Sequence, residues 1–469
     1  MSFLDFLTII KFVNKKIYLK GIFLLLICVS VPAQNNENAS EFILERINEH
    51  LLTSNYNDAI VLFDTIPAPE RNSSYIRLIE ASILISAGRN VEARRIIETI
   101  NRAEPQNTDA LFILSTIEGI EGRARQQQQA LERILNIDPG NTQAIISLGN
   151  LHLSNRNVRQ AASNFHQIIR QDPENLDALL GLGRTFRMNR EFEQAELYLN
   201  RAVELHPEAA DARVERARFN RGRGFLIMAL DDLNDAIKLD PYDYWISTDR
   251  GILLVEMNRR GQALEEFNRA IGINPDIFLA YAYSAPLKDE FGDHDGAMRD
   301  YAALARLRPD YHYSLEGLGL HHMRREEWEN ARDVFMEAYG QAPNEHHYAL
   351  LAAIAWMRMG DITAPRTFLF QTQAKVTRDT LEWHMFRLFH DLANRNFASE
   401  TDLLHRLERE QDEITRARMT FFMGKYYDVR GNISMANRQY LRVLDLNQMA
   451  IPEWRLNDWI LTNRNIKPF

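Results

Sequence analysis

Eight prolines keep a single interval in this chain. Pro105, Pro139, Pro173, Pro207, Pro241, Pro275, Pro309 and Pro343 follow one another every 34 residues, and they are eight of only fifteen prolines. A fixed period of this length is the sign of a repeat architecture. Other positions hold the same register. Twelve residues before the proline stand Ala93, Ala161, Ala195, Ala229, Ala263, Ala297 and Ala331. Eight before it stand Phe165, Leu199, Leu233, Phe267, Tyr301 and Phe335. Twenty-four before it stand Ala81, Gly149, Gly183, Ala217, Gly251, Ala285 and Gly319.

One unit shows what the period encodes. Over residues 142–175, Ile145, Leu148, Gly149 and His152 recur at helical spacing, and Ala161, Phe165 and Ile168 do so again. The polar stretch between them is turn-forming. The unit is a first helix (A), a short turn and a second helix (B). Pro173 ends helix B, because proline lacks an N–H and disfavours helical geometry in the residue before it. One such pair cannot bury its apolar face alone, so neighbours must stack to complete a core. Length alone would suggest about three domains; the period replaces them with one array.

The pattern resembles the tetratricopeptide repeat (TPR) family, with a small residue at position 8, Ala at 20, an aromatic at 24, Ala at 27 and Pro at 32 of each 34-residue unit. Residues 312–345 carry Leu318-Gly319, Ala331, Phe335, Ala338 and Pro343; residues 244–277 carry Gly251, Ala263, Phe267, Ala270 and Pro275. The resemblance implies an all-α, right-handed α-solenoid with an inner groove, here of about twelve helix-turn-helix units. The register places ten repeats over 40–379, an irregular helical pair over 380–416 and a further TPR-like repeat over 417–450. Pro452 then opens a C-terminal capping helix within 451–469.

The N-terminus stands apart. Lys11, Lys15, Lys16 and Lys20 precede an uncharged apolar run from Gly21 to Val31, and Val31-Pro32-Ala33 offers small residues at cleavage spacing. Residues 1–33 therefore form a secretory signal cut after Ala33, or an uncleaved anchor, with 34–39 as a linker. Leu25-Leu26-Ile27-Cys28 is a weaker lipoprotein pattern, because Ile27 is bulky where a small residue is expected. The chain is expected to be exported, to the periplasm or cell envelope.

No catalytic constellation stands out. There is no phosphate loop, no His-Glu-x-x-His and no Gly-x-Ser-x-Gly elbow, and the single cysteine lies in the leader. The sequence thus predicts a non-enzymatic scaffold with no cofactor. A formal net charge of −9 argues against nucleic-acid partners. His312, His321, His322, His346 and His347 crowd into a short stretch, but no Asp or Cys is evidently placed to complete a metal site.

The resemblance implies that helix A turns positions 2, 5, 9 and 12 to the groove. In the middle repeats position 9 is Asn150, Arg184 and Arg218, and position 12 is Leu153, Arg187 and Arg221. Four arginines therefore stack in adjacent repeats. Either Asp177, Asp211 and nearby glutamates pair with them, or they form an anion site for a carboxylate on a protein or peptide partner. Position 5 holds Ile146, Leu180 and Val214, which departs from the lysine of the family's carboxylate clamp. Trp245 and the later repeats, with Tyr313, Leu320, Met323, Leu350, Ile354 and Met357, supply an apolar and aromatic lining. The alternative to partner docking is self-association through an exposed apolar end of Trp383, Trp454, Trp459 and Phe469.

Overall fold

Side-chain caps and prolines set the helix ends. Asn107, Asn141 and Asn175 each accept a hydrogen bond from the N–H three residues on, at 2.9, 2.9 and 3.1 Å, and so cap helix A. Helix B stops at the residue before the register proline; Asp138 and Asp172 sit there in extended geometry. Between A and B, one residue at position 15 turns left-handed. Glycine fills it at 88, 122, 224, 292, 360 and 431, whereas Arg156, Arg190, Asn258 and Glu326 adopt the same positive φ.

These rules build the computed structural model, which describes residues 39–52, 55–392, 397–449 and 451–466. The leader at 1–33, residues 34–38 and Phe469 lie outside the described residues. Among the described residues all regular structure is helical, with 26 α-helices. None is long and apolar enough to cross a membrane.

The chain divides into two compact units, Met1–Leu239 and Asp240–Phe469. The first holds α1 (Ala39–Leu52), α2 (Tyr56–Leu62), α3 (Ala68–Arg71), α4 (Ser74–Ser86), α5 (Asn90–Ala103), α6 (Thr108–Ile120) and α7 (Ala124–Ile137). It continues with α8 (Thr142–Ser154), α9 (Val158–Gln171), α10 (Leu176–Met188), α11 (Phe192–Leu205), α12 (Ala210–Gly222) and α13 (Leu226–Leu239). The second opens with α14 (Tyr244–Glu256), α15 (Arg260–Ile273), α16 (Phe278–Glu290), α17 (His294–Leu307), α18 (His312–Arg324), α19 (Trp328–Gln341) and α20 (His347–Arg358). It ends with α21 (Thr363–Gln373), α22 (Leu381–His390), α23 (Phe397–Arg409), α24 (Glu413–Val429), α25 (Ile433–Leu446) and α26 (Pro452–Asn463). In both units each A helix packs on its B helix, and the B helix packs in turn on the A helix of the next repeat. The earliest unit departs from the pattern. Its second helix stops at Leu62, a 3-10 turn covers Phe63–Thr65, and Pro67 starts α3 afresh.

The aromatic at position 24 is the knob that joins repeats. Phe165 is fully buried, and a Cβ at Gly149 would stand 2.8 Å from its ring. Gly181, on the A helix of the following repeat, closes on the same ring from the other side. Phe267 against Gly251 and Phe335 against Gly319 repeat the first half of this contact, at 2.6 Å each. The small residue at position 8 thus exists to admit the ring, and the buried ring is what the stack is built around.

Candidate functional site

In the first unit the A-helix stripe carries the arginines, and neighbouring repeats bring them side by side. Arg184 Nη2 donates to Asn150 Oδ1 at 3.3 Å across the 34-residue step, and its Nε donates to the Leu180 carbonyl at 3.3 Å. The ninth positions of α8 and α10 therefore face each other. Arg218 pairs within α12: its Nη1 lies 2.8 Å from Glu215 Oε1, and the Glu215 side chain is 1% exposed. Arg187 and Arg221 are half-buried and each engages a neighbour, as does Asp211. Asp177, expected to offset the cluster, is exposed and makes no ion pair among the described residues. Arg216 was not marked by the sequence pattern. It clips helix A to helix B, with Nη2 2.6 Å from Asp232 Oδ1 and Nη1 3.2 Å from Asn200 Oδ1.

In the second unit the stripe is largely covered by the chain itself. The C-terminal helix α26 packs on α18, α24 and α25. Leu456, Ile460 and Leu461 share one core with Leu320, Met323, Leu350, Ile354 and Met357. Met323 is therefore buried at 1% exposure, while Tyr313 stays 54% exposed beside Tyr311 and His312. Trp245 is half-buried against Tyr244, with ring centroids 5.2 Å apart. The expected exposed apolar end is also absent among the described residues. Trp383, Trp454 and Trp459 are half-buried against the same core. The fold places α26 so that its tryptophans complete that core rather than face solvent.

Polar groups fix α26 at three points. Arg324 donates to the Arg455 carbonyl at 3.3 Å, and Arg455 Nη1 donates to the Pro286 carbonyl at 3.3 Å. Asn457 donates to the Tyr440 carbonyl at 3.0 Å. Glu453, fully buried, lies 3.2 Å from Arg418 Nε. Glu453 also meets Glu316 and His347, whose Nε2 is 3.0 Å from Glu316 Oε1. Donor atoms of the three lie within 4.8 Å of one another, a set that could hold a metal ion. The sequence shows no Asp or Cys evidently placed to complete a metal site; the structure sets two glutamates against His347, one of them from α26. Arg418 already places a positive charge there. Burial pushes the Glu316 carboxyl up to about 7, against the pull of Arg418, and pushes the His347 imidazole down to about 4. Both shifts favour an uncharged pair.

The five crowded histidines do not converge. His312 meets the Tyr348 hydroxyl at 2.9 Å, His321 meets Asp289 at 3.0 Å, and His322 meets Glu327 at 2.5 Å. His346 meets Glu382 at 3.3 Å. Burial alone would raise the Asp289 carboxyl; His321, Arg324 and His294 outweigh it and hold it at about 2. This network is a packing device between α16, α17 and α18.

The tetratricopeptide repeat family model matches residues 146–210, 187–244 and 284–346. Residues 146–244 and 284–346 are therefore tetratricopeptide repeats, a repeat fold that supports a protein–protein interaction scaffold. Among solved structures it is similar to a thermophilic TPR protein of Thermus thermophilus, at 20% identity over 38% of this chain and 98% of that one, with a TM-score of 0.36. It is similar to YrrB, a TPR protein with an unusual peptide-binding site, at 22% identity over 39% and 95%, with a TM-score of 0.27. It is similar to PilF of Pseudomonas aeruginosa at 18% identity over 45% and 96%, with a TM-score of 0.36.

Proposed function

We propose that this protein is a non-enzymatic adaptor that docks an acidic, carboxylate-bearing segment of a partner on the arginine stripe of its first unit, and that it does so outside the cytoplasm. The observation that carries the reading is the Arg184–Asn150 bond, which sets the ninth positions of successive A helices face to face. With Arg187, Arg218 and Arg221 on the same stripe, planar forks are presented along one surface in an otherwise acidic chain. Internal partners hold these forks in place; a carboxylate ligand adds to them or takes their place.

The test is fluorescence anisotropy with a labelled decapeptide rich in Asp and Glu. Binding is expected at low salt, with loss of at least about tenfold in an Arg184→Gln, Arg187→Gln, Arg221→Gln variant. A peptide with Asn and Gln in place of the acids serves as control. Arg218 is left intact, because removing it would strand the buried Glu215. Equal binding of the acidic peptide by variant and wild type, or equal binding of both peptides, rejects the site. Export is carried by the charged and apolar pattern of residues 1–33, and sequencing of the mature N-terminus, expected to begin at Gln34, checks it.

A further inference from the structure

A cavity of about 170 Å³ lies inside the second unit, where α26 closes over α20 and α24. Trp328 and Trp459 form aromatic walls, and Ile354 and Val429 add apolar surface. Into it comes Lys425, only 7% exposed. Among the described residues Lys425 makes no hydrogen bond or ion pair; its Nζ stands 5.5 Å from the Phe421 ring. The nearest acid on its own helix is already taken. Asp428 accepts from Arg464 at 2.8 Å and from the Tyr440 hydroxyl at 2.6 Å. A second cation lines the cavity: Arg358 stacks over Trp328, 5.0 Å from the ring centroid, and makes no ion pair among the described residues. Asp428 attracts the Lys425 ammonium without bonding to it and is engaged by Arg464, so the cavity holds more positive charge than its acids offset, and a buried ammonium left so is completed by an anion.

We infer that this cavity is a binding site for a small carboxylic acid on a flat apolar body. Lys425 and Arg358 take the carboxylate, and the two indoles hold the body between them. The size agrees, since cavities of about 150 Å³ accept a benzene ring. One wall belongs to α26, so an occupant fastens the C-terminal helix to α20 and α24. This site does not depend on the arginine stripe of the first unit, and either can fail alone.

Benzoate is the probe, with benzamide as its uncharged analogue. Isothermal titration of the whole protein at pH 7 is expected to show benzoate binding and at least about tenfold weaker benzamide binding. Lys425→Met, which replaces a buried charge by an apolar chain of like length, is expected to fold and to weaken benzoate at least about tenfold. Arg358→Gln, at an exposed position, is expected to weaken it less and keeps the test open if the first variant fails to fold. Hydrogen exchange over residues 452–463 is expected to slow with benzoate in the wild type, less in Arg358→Gln at the same concentration, and not in Lys425→Met. Burial brings the Lys425 ammonium down to about 8, so wild-type affinity falls as pH rises from 7 to 9. The other groups facing it are Arg358, Glu326, Asp428 and Arg464. Absence of benzoate binding, or equal binding by wild type and both variants, overturns the inference.

Discussion

Phe165 shows how one residue type can serve the stack in one place and harm it in another. Its ring is held between Gly149 and Gly181 with no exposure, so neither glycine can grow a side chain without moving a ring that has nowhere to go. Gly272 lies exposed near the end of α15 with nothing within 4 Å of a Cβ. Alanine favours a helix over glycine by up to about 1 kcal/mol, whereas overpacking costs about 1–3 kcal/mol. Gly272→Ala is therefore expected to stabilise slightly, and Gly181→Ala to destabilise by roughly 1–2 kcal/mol. Phe165→Leu in the Gly181→Ala background should recover part of that loss. Urea denaturation of the four proteins checks it; a stabilising Gly181→Ala would disprove the clamp. The sequence announced the small residue at 149 and the ring at 165 by register alone. The second contact, at Gly181, lies at position 6 of the next repeat, where the family pattern asks for nothing particular, so only packing reveals it.

At the scale of elements, the period was legible because the repeats between residues 74 and 345 share local rules: a left-handed residue after helix A and a proline after helix B in each, and in several a side-chain cap before helix A. What α26 does was not legible. Glu316, His347, Arg418 and Glu453 come from four helices, and no spacing in the sequence links them. The Glu316–His347 pair gives this element a pH signature. Glu316 is raised, so its contribution to stability is full below its ordinary value of 4.5 and is lost as pH rises through about 7. His347 is lowered, so its contribution is full above 6.5 and is lost as pH falls through about 4. Between 4.5 and 6.5 the two slopes oppose each other in the wild type. Glu316→Gln is expected to gain stability relative to wild type as pH rises across that window, and His347→Gln to lose it. The difference should be on the order of 1–3 kcal/mol over the window. Denaturation at pH 4.5, 5.5 and 6.5, compared variant by variant, reads the sign; two variants with the same slope would mean that burial does not shift the two groups in the opposed senses described.

For the molecule as a whole, the stacking rule decides how far any change travels. Each repeat contacts its neighbours, so stability is approximately a sum of units and interfaces. The helix α26 breaks that one-dimensional order within the second unit, because it joins α18 to α24, elements about a hundred residues apart in sequence. Cutting the chain after Gln448 tests this. The cut uncovers Leu320, Met323 and Ile354 and removes Leu456, Ile460 and Leu461, each fully buried aliphatic side chain being worth about 1.5–3 kcal/mol. Amide exchange is expected to quicken in α18, α20 and α24 and to stay unchanged over residues 74–205, where the first unit is built from its own neighbours. The uncovered stripe is contiguous and apolar, so sedimentation should show the truncated chain gaining mass with concentration where the full chain does not. Unchanged exchange in α18 and α24 would mean that α26 rests on the stripe without holding it.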